Sequence, residues 1–405
     1  MQNHTFIRML SIAFLTMLLP AAGQAASLVE TIRQAMERHP DLALVEARKK
    51  VEAGYRDLAN SVFSGDPSLE GSATGDTIGT DNGYEEYVVG VSVPIWLPGQ
   101  RSAKESIADN LGLQADSEKQ RLAWEVTGEV LERAWSLRIA ETDLKQSMKQ
   151  WAAARALVQD IRHRYEVGEL SRNDLLLAQQ DLIDAESTYQ DAVNSLQNAR
   201  LGWRNYTGSD ELPEDLESYS RKTANTDIVQ HPRIAAALSR TRTARARAAD
   251  TRAQRRAAPV ISLFTKRDRG DRDVEYTDSV GVGFSLPLGT RAHAAPAIAE
   301  AESELTTAQA ETDILKRQLE LSIAEAGQEL ARADRQLQLA RQKEEYSRSR
   351  MKLAQRAFEL GEMDLYQLLL ARRQSNEATR NLKLRRLEKE RAAARRIHIS
   401  GVTPQ

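Results

Sequence analysis

The stretch YEVGELSRNDLLLA, Tyr165–Ala178, returns as FELGEMDLYQLLLA, Phe358–Ala371. Gly168 and Gly361 stand 193 positions apart, as do Glu169 and Glu362, Leu175 and Leu368, and Ala178 and Ala371. Each glycine sits where one helix must stop and another must start. A duplicated helix–turn–helix of this size defines the architecture before any local motif does.

The duplication extends outward from the turns. Counting back from Tyr165 in steps of three and four gives Ile161, Val158, Ala154, Trp151, Ser147, Leu144, Ala140 and Leu137. The second copy has Ala354, Met351, Ser347, Glu344, Ala340, Leu337, Ala333 and Leu330. Large and small residues alternate on a heptad stripe, the period of left-handed coiled-coil packing. Glu344 interrupts the second stripe and marks an exposed or looser turn. After the first turn the stripe resumes through Leu175, Ala178, Leu182, Ala185, Tyr189, Ala192, Leu196, Ala199 and Trp203. Its mate begins Leu368, Ala371, Ser375, Ala378 and Leu382 and then turns basic. A rod over about 102–166 spans ~100 Å at ~1.5 Å per residue, so the chain is elongated and its rods pack against copies of themselves.

Upstream, His39-Pro40 matches His231-Pro232, each opening a helix, and VVGVSVPIW from Val88 matches SVGVGFSLP from Ser279. Val280, Val282, Phe284 and Leu286 alternate with Gly281, Gly283 and Ser285, the period of a strand with one apolar face. Val89, Val91 and Val93 do the same, and polar glycine-bearing loops connect both runs to preceding strands near 67–77 and 259–266. Two lone hairpins leave open edges, which strands from several chains could close into a barrel; the alternative is a small soluble β-subdomain at the rod's end. Apolar-outward alternation suits strands of a membrane barrel, which need ~9–11 residues. The expected organisation is residues 1–25 as a signal peptide, then repeat 1 over 26–215, with a β-hairpin at about 67–95 and a coiled-coil hairpin at about 102–206. Repeat 2 covers 226–400, with the corresponding hairpins at about 259–287 and 294–397, and both repeats form one structural unit.

The signal reading rests on Arg8, the apolar run Met9–Pro20, and small residues at Gly23 and Ala25. Ser27 to Glu30 then shows the S-x-x-E pattern of a capping box. With no cysteine, disulfides, thiolate metal sites and catalytic thiols are excluded. A formal net charge of −2 argues against a nucleic-acid binder. The six histidines lack i, i+4 metal spacing, and Gly281-Val282-Gly283 opens no helix as a nucleotide loop would. No catalytic, cofactor or metal constellation is present, so none is expected. Asn205-Tyr206-Thr207 matches a glycosylation sequon of a kind that arises by chance, and the basic run RRLEKERAAARR reads as a solvated helix face.

The paired glycine turns with Leu-Leu-x-Ala, the hairpin-then-rod order, and the corners PIWLPGQRSA from Pro94 and LPLGTRAHA from Leu286 resemble the outer-membrane factor family, the TolC-like efflux ducts. The resemblance covers essentially all of the chain after residue 25. It implies a mainly α protein with a small β part: long antiparallel coiled-coil hairpins in two tandem repeats, each adding a β-hairpin to a trimeric 12-stranded outer-membrane barrel. It implies a homotrimer embedded in outer-membrane lipid, with its helical tunnel in the periplasm. That tunnel would be a passive exit duct coupled to a periplasmic adaptor (membrane fusion) protein and an inner-membrane pump. By residue match the adaptor-contacting tip is Val167, Gly168, Glu169, Leu170 and Ser171 with Leu360, Gly361, Glu362, Met363 and Asp364. Family members with paired acidic residues inside the second tip gate the aperture there; this chain has Tyr366-Gln367-Leu368-Leu369-Leu370 instead. Asp174, Asp364 and Gln367 are therefore the candidate gate residues. The competing readings are a periplasmic coiled-coil adaptor or scaffold without a channel, which two rods and two hairpins disfavour, and an enzyme, for which no residue set exists.

Overall fold

The computed structural model describes residues 27–79, 81–225 and 227–404; the expected signal peptide lies outside them. The chain opens with α1 (Leu28–Glu37) and α2 (Asp41–Asn60), followed by β1 (Ser68–Gly75) and β2 (Glu85–Pro94). The rod α3 (Gln100–Glu166) and its return helix α4 (Arg172–Thr207) come next, then the short α5 (Leu216–Tyr219). A second series follows: α6 (Pro232–Ala253), β3 (Val260–Arg269), β4 (Thr277–Ser285), the rod α7 (Arg291–Glu359) and α8 (Leu365–Ile399). With 67 and 69 residues, the two rods are each about 100 Å long.

No single partner covers such a rod. Toward the glycine turns α3 packs on α4 and α7 on α8; toward the sheet α3 packs on α2 and α7 on α6. α3 also lies against α6 and α8, which joins the two series. Between the two halves sits the main core, built from Leu28, Ile32, Val130, Trp135, Leu196, Trp203, Tyr219 and Ile397.

Helix starts follow local chemistry. Ser27 Oγ accepts from Glu30 N at 3.2 Å, but the Glu30 carboxylate turns to Arg33 at 2.6 Å, so only half of the capping box forms. His39 Nδ1 accepts from Asp41 N at 3.2 Å and His231 Nδ1 from Arg233 N at 3.1 Å, the same device at both His-Pro pairs. On α3, Glu118 is fully buried between Arg121 of the same helix at 2.8 Å, Arg48 of α2 at 3.4 Å and Arg240 of α6. Burial pushes its carboxyl up, but the Arg121 hydrogen bond and the Arg240 charge outweigh that and hold it below the usual carboxylate range.

The strands form one antiparallel sheet ordered β1-β2-β3-β4. Both hairpins form, and β2 also pairs with β3 from Glu85–Arg269 to Pro94–Val260. The hairpins are thus fused within the chain, leaving β1 and β4 as edges. One face carries Leu69, Val89, Val91, Ile261, Leu263, Val280, Val282 and Phe284, all 37–78% exposed. The opposite face carries Ser72, Glu86, Gly90, Ser92, Ser262, Lys266 and Gly283. A soluble sheet would bury the first face, not expose it. Among the described residues no helix is long and apolar enough to cross a membrane.

Candidate functional site at the paired glycine turns

Both turns end their rods in the same way. Gly168 has φ +84° and Gly361 φ +74°, the left-handed region that disfavours any residue with a Cβ. In the first, Glu169 N donates to Arg164 O at 2.8 Å and Gly168 N to Tyr165 O at 3.0 Å. In the second, Glu362 N donates to Ala357 O at 2.8 Å and Gly361 N to Phe358 O at 3.1 Å. These are two Schellman motifs, which satisfy the rods' last carbonyls and reverse the chain.

The return helices begin on carboxylates. Asp174 and Ser171 form a capping box, with Ser171 N to Asp174 Oδ2 at 3.0 Å and Asp174 N to Ser171 Oγ at 3.2 Å. Asp364 Oδ1 accepts from Gln367 N at 2.8 Å. The three candidate gate residues therefore all take part in helix starts. Gln367 does so through its backbone, and its side chain is exposed.

The structure brings the ten tip residues together. Val158, Ile161, Ala178, Ala354, Leu365 and Leu368 form a buried cluster spanning all four helices, with Leu170 and Met363 packed on it from the turns. Val167 and Leu360 are exposed beyond it, as are Gly168, Glu169, Ser171, Gly361, Glu362 and Asp364. The Arg164 guanidinium lies 5.7 Å from the Phe358 ring centre, one further tie between the hairpins. The end of the molecule is thus a single apolar knuckle with two parallel loops on its surface.

Roughly 15 Å above the loops, counted along the return helices, lies a cleft of about 490 Å³ lined by Asp181, Asp184, Leu370, Arg372, Arg373 and Arg380. Arg373 Nε donates to Asp181 Oδ1 at 3.1 Å and its Nη2 to Asp184 Oδ2 at 2.7 Å, linking α8 to α4. The Asp181 hydrogen bond raises the Arg373 pKa, while burial lowers that of Arg372 beside it. Further along, Arg380 clasps Asp143 of α3 at 2.5 and 2.7 Å. Sequence reasoning missed this link. The signal was a difference between the copies: after the shared LLLA, the first has Gln179-Gln180-Asp181 and the second Arg372-Arg373-Gln374. Among the described residues no three His, Asp or Glu side chains are placed to hold a metal ion.

The sequence pattern of outer membrane efflux proteins matches residues 31–209. Over that stretch the chain is similar to the outer membrane efflux proteins. Its fold is that of solved TolC-like channels across nearly its full length. VceC of Vibrio cholerae aligns with a TM-score of 0.70 at 17% identity, covering 92% of this chain and 96% of that one. The Campylobacter jejuni outer membrane channel CmeC gives 0.69 at 16% identity, covering 92% and 85%. The open-state Neisseria gonorrhoeae channel MtrE gives 0.67 at 16%, covering 92% and 89%. No curated protein sequence matches the chain. The match and the shared fold support an outer-membrane location with the helical part in the periplasm, and a role as an exit duct.

Proposed function

We propose that three copies of this outer membrane efflux chain form the passive exit duct of a tripartite efflux or secretion system, with the two repeats of each copy working as one unit. The observation that carries this is the coupling of an outward apolar sheet to ~100 Å rods that end in one knuckle. Three four-stranded sheets close the edges β1 and β4 into twelve strands. A second feature supports self-association of the rods: Leu339, Tyr346 and Leu353 recur every seventh residue on α7 and are all exposed. A heptad stripe without a partner in its own chain packs against a neighbouring copy.

The knuckle is the docking end for a periplasmic adaptor, through Val167 to Ser171 and Leu360 to Asp364. The adaptor in turn joins an inner-membrane pump that supplies the energy. Asp174, Asp364 and Gln367 shape the aperture by setting the starts of the return helices, and the Arg373 link above them fastens the two hairpins in the closed duct. A channel-less periplasmic adaptor would have no use for the exposed apolar sheet.

The test uses the absence of cysteine. Single cysteines at the exposed Val167 or Leu360 give unique crosslinking handles, and heat-modifiable electrophoresis of the outer-membrane fraction reports the trimer. Crosslinks from both positions to the adaptor, in a chain that migrates as a heat-sensitive trimer, are expected. A soluble periplasmic monomer would overturn the duct, and a trimer that crosslinks nothing at the tip would overturn the docking assignment alone.

A further inference from the structure

Where the sheet meets the helices there is a basic cleft that a passive duct does not require. It has a volume of about 580 Å³ and lies between the end of α6 and the start of α7, lined by Arg255, Arg256, Thr290, Arg291, Ile298 and Glu302. These residues flank the connections into β3 and out of β4, so the cleft sits at the helix-side edge of the sheet. Its charges do not cancel. Glu302 is engaged by Arg252 at 2.7 Å. Arg255, Arg256 and Arg291 form no ion pair within 4.0 Å among the described residues. The first turn of α7 opens into the same cleft, and Thr290 makes no side-chain cap there; its hydroxyl lies 2.6 Å from His293 Nδ1. Uncapped N–H groups of a long helix add to the positive potential.

The surface next to it is apolar. Leu286 and Leu288 are 46% and 82% exposed and continue the outward series Val280, Val282, Phe284 toward Gly289, itself part of the cleft wall. Unpaired guanidiniums directly below an exposed apolar band match the layering of a bilayer, phosphate level against hydrocarbon. Arginine suits phosphate because its planar fork donates two parallel hydrogen bonds.

We propose that this cleft binds the headgroup phosphate of an anionic glycerophospholipid from the leaflet on the helix side, with the acyl chains lying on Leu288, Leu286 and Phe284. This rests on the sheet being embedded in the membrane. A free phosphate would gain only the charged contacts in a cleft open to water, whereas a lipid gains the leucines as well. The site would bring lipid to the joint at which rods and strands are connected.

The test is native mass spectrometry of the full chain, purified in detergent as its assembled oligomer and titrated with phosphatidylglycerol or phosphatidylcholine. At least tenfold preference for phosphatidylglycerol is expected. Each basic residue near an anionic surface contributes about a factor of five, so R255Q/R256Q/R291Q should weaken that binding roughly 100-fold. R242Q/R245Q/R247Q removes the same charge elsewhere on α6 and should change it less than about threefold. Equal losses in the two triple variants, or no preference between the lipids, would overturn the site. Displacement of the lipid by an equal concentration of inorganic phosphate would reassign it as a free-anion site and overturn the lipid. If the triple variant does not assemble, the single variants R255Q and R291Q are read instead, each about fivefold weaker. Membrane fractionation of the wild type separates these outcomes from failure of the membrane reading, which would leave the chain soluble.

Discussion

Replacing Arg373 by glutamine removes both ion pairs that tie α8 to α4 while keeping a polar, hydrogen-bonding side chain. The magnitude is bounded by exposure. Arg373 is 58% exposed and Asp184 53%, so those charges are largely screened; only Asp181, at 14%, is well shielded. Exposed pairs are worth ~0.2–1 kcal/mol each, which puts the whole link at about 1 kcal/mol per chain. One such link would be nearly silent. If three chains open together, the sum is about 3 kcal/mol, and at 1.4 kcal/mol per decade that shifts the closed-to-open ratio roughly 100-fold.

The assay is single-channel recording of the purified duct in planar bilayers, wild type against R373Q, at low and high potassium chloride. R373Q should raise the open fraction by about two decades at low salt. At 1 M salt the screening length is ~3 Å, so the wild type should move toward the variant. D181N/D184N should reproduce the effect, and adding R373Q to it should change little, because all three substitutions break the same link. Equal open fractions for wild type and R373Q at low salt, in channels whose trimer is intact by electrophoresis, would refute the latch. Full additivity of the carboxylate and arginine substitutions would do so as well, since it would mean that the groups act separately.

Acid should loosen the middle of the chain. Burial holds His231 down to about 4 and His398 down to about 3, against an ordinary value of 6.5. Since both folded values are depressed, their stability is complete above pH 6.5 and is lost as pH falls toward 4 and then 3, at about 1.4 kcal/mol per unit per histidine. H398F should match wild type at pH 7.5 and halve the acid slope in denaturant melts at pH 4.5–6.5; an unchanged slope would count against it. E118Q leaves Arg48, Arg121 and Arg240 facing a neutral group and should cost roughly 1–3 kcal/mol in denaturant unfolding, the arginines' partial exposure softening the penalty. G168A and G361A meet no atom within 4 Å, so each should cost only the ~1–2 kcal/mol of left-handed backbone, with the trimer retained and helix ends fraying in hydrogen exchange. V282R places a charge on the outward face of the sheet and should lower the heat-modifiable trimer in the membrane fraction severalfold, at a cost of ~2–4 kcal/mol.

The readable features of this chain share a cause: each is written within a few residues. A Schellman turn needs one glycine after a helix, a strand facing lipid needs alternation, and a seam needs a heptad. The unread features are contacts between distant elements. The β2–β3 register joins residues about 180 positions apart, and nothing in either hairpin announces its partner. Trp124 lies between His231 at 4.9 Å and His398 at 4.6 Å, three residues from three separate elements. Yet the duplication offers a way past this limit, because copies that agree report the shared fold while copies that differ report where one hairpin meets the other. At 151 and 189 the first hairpin stacks Trp151 on Tyr189, with ring centres 5.3 Å apart; the second has Glu344 and Leu382 there, and Glu344 is half-buried without breaking the rod. At 179–181 the copies diverge to opposite charge, and in space those charges meet. The hairpins share an apolar knuckle through residues that match, such as Ala178 and Ala371, and add a charged link through residues that do not. The link of Arg373 to Asp181 and Asp184 therefore stands where the repeat breaks, while Asp174 and Asp364 sit in the helix starts that both copies share.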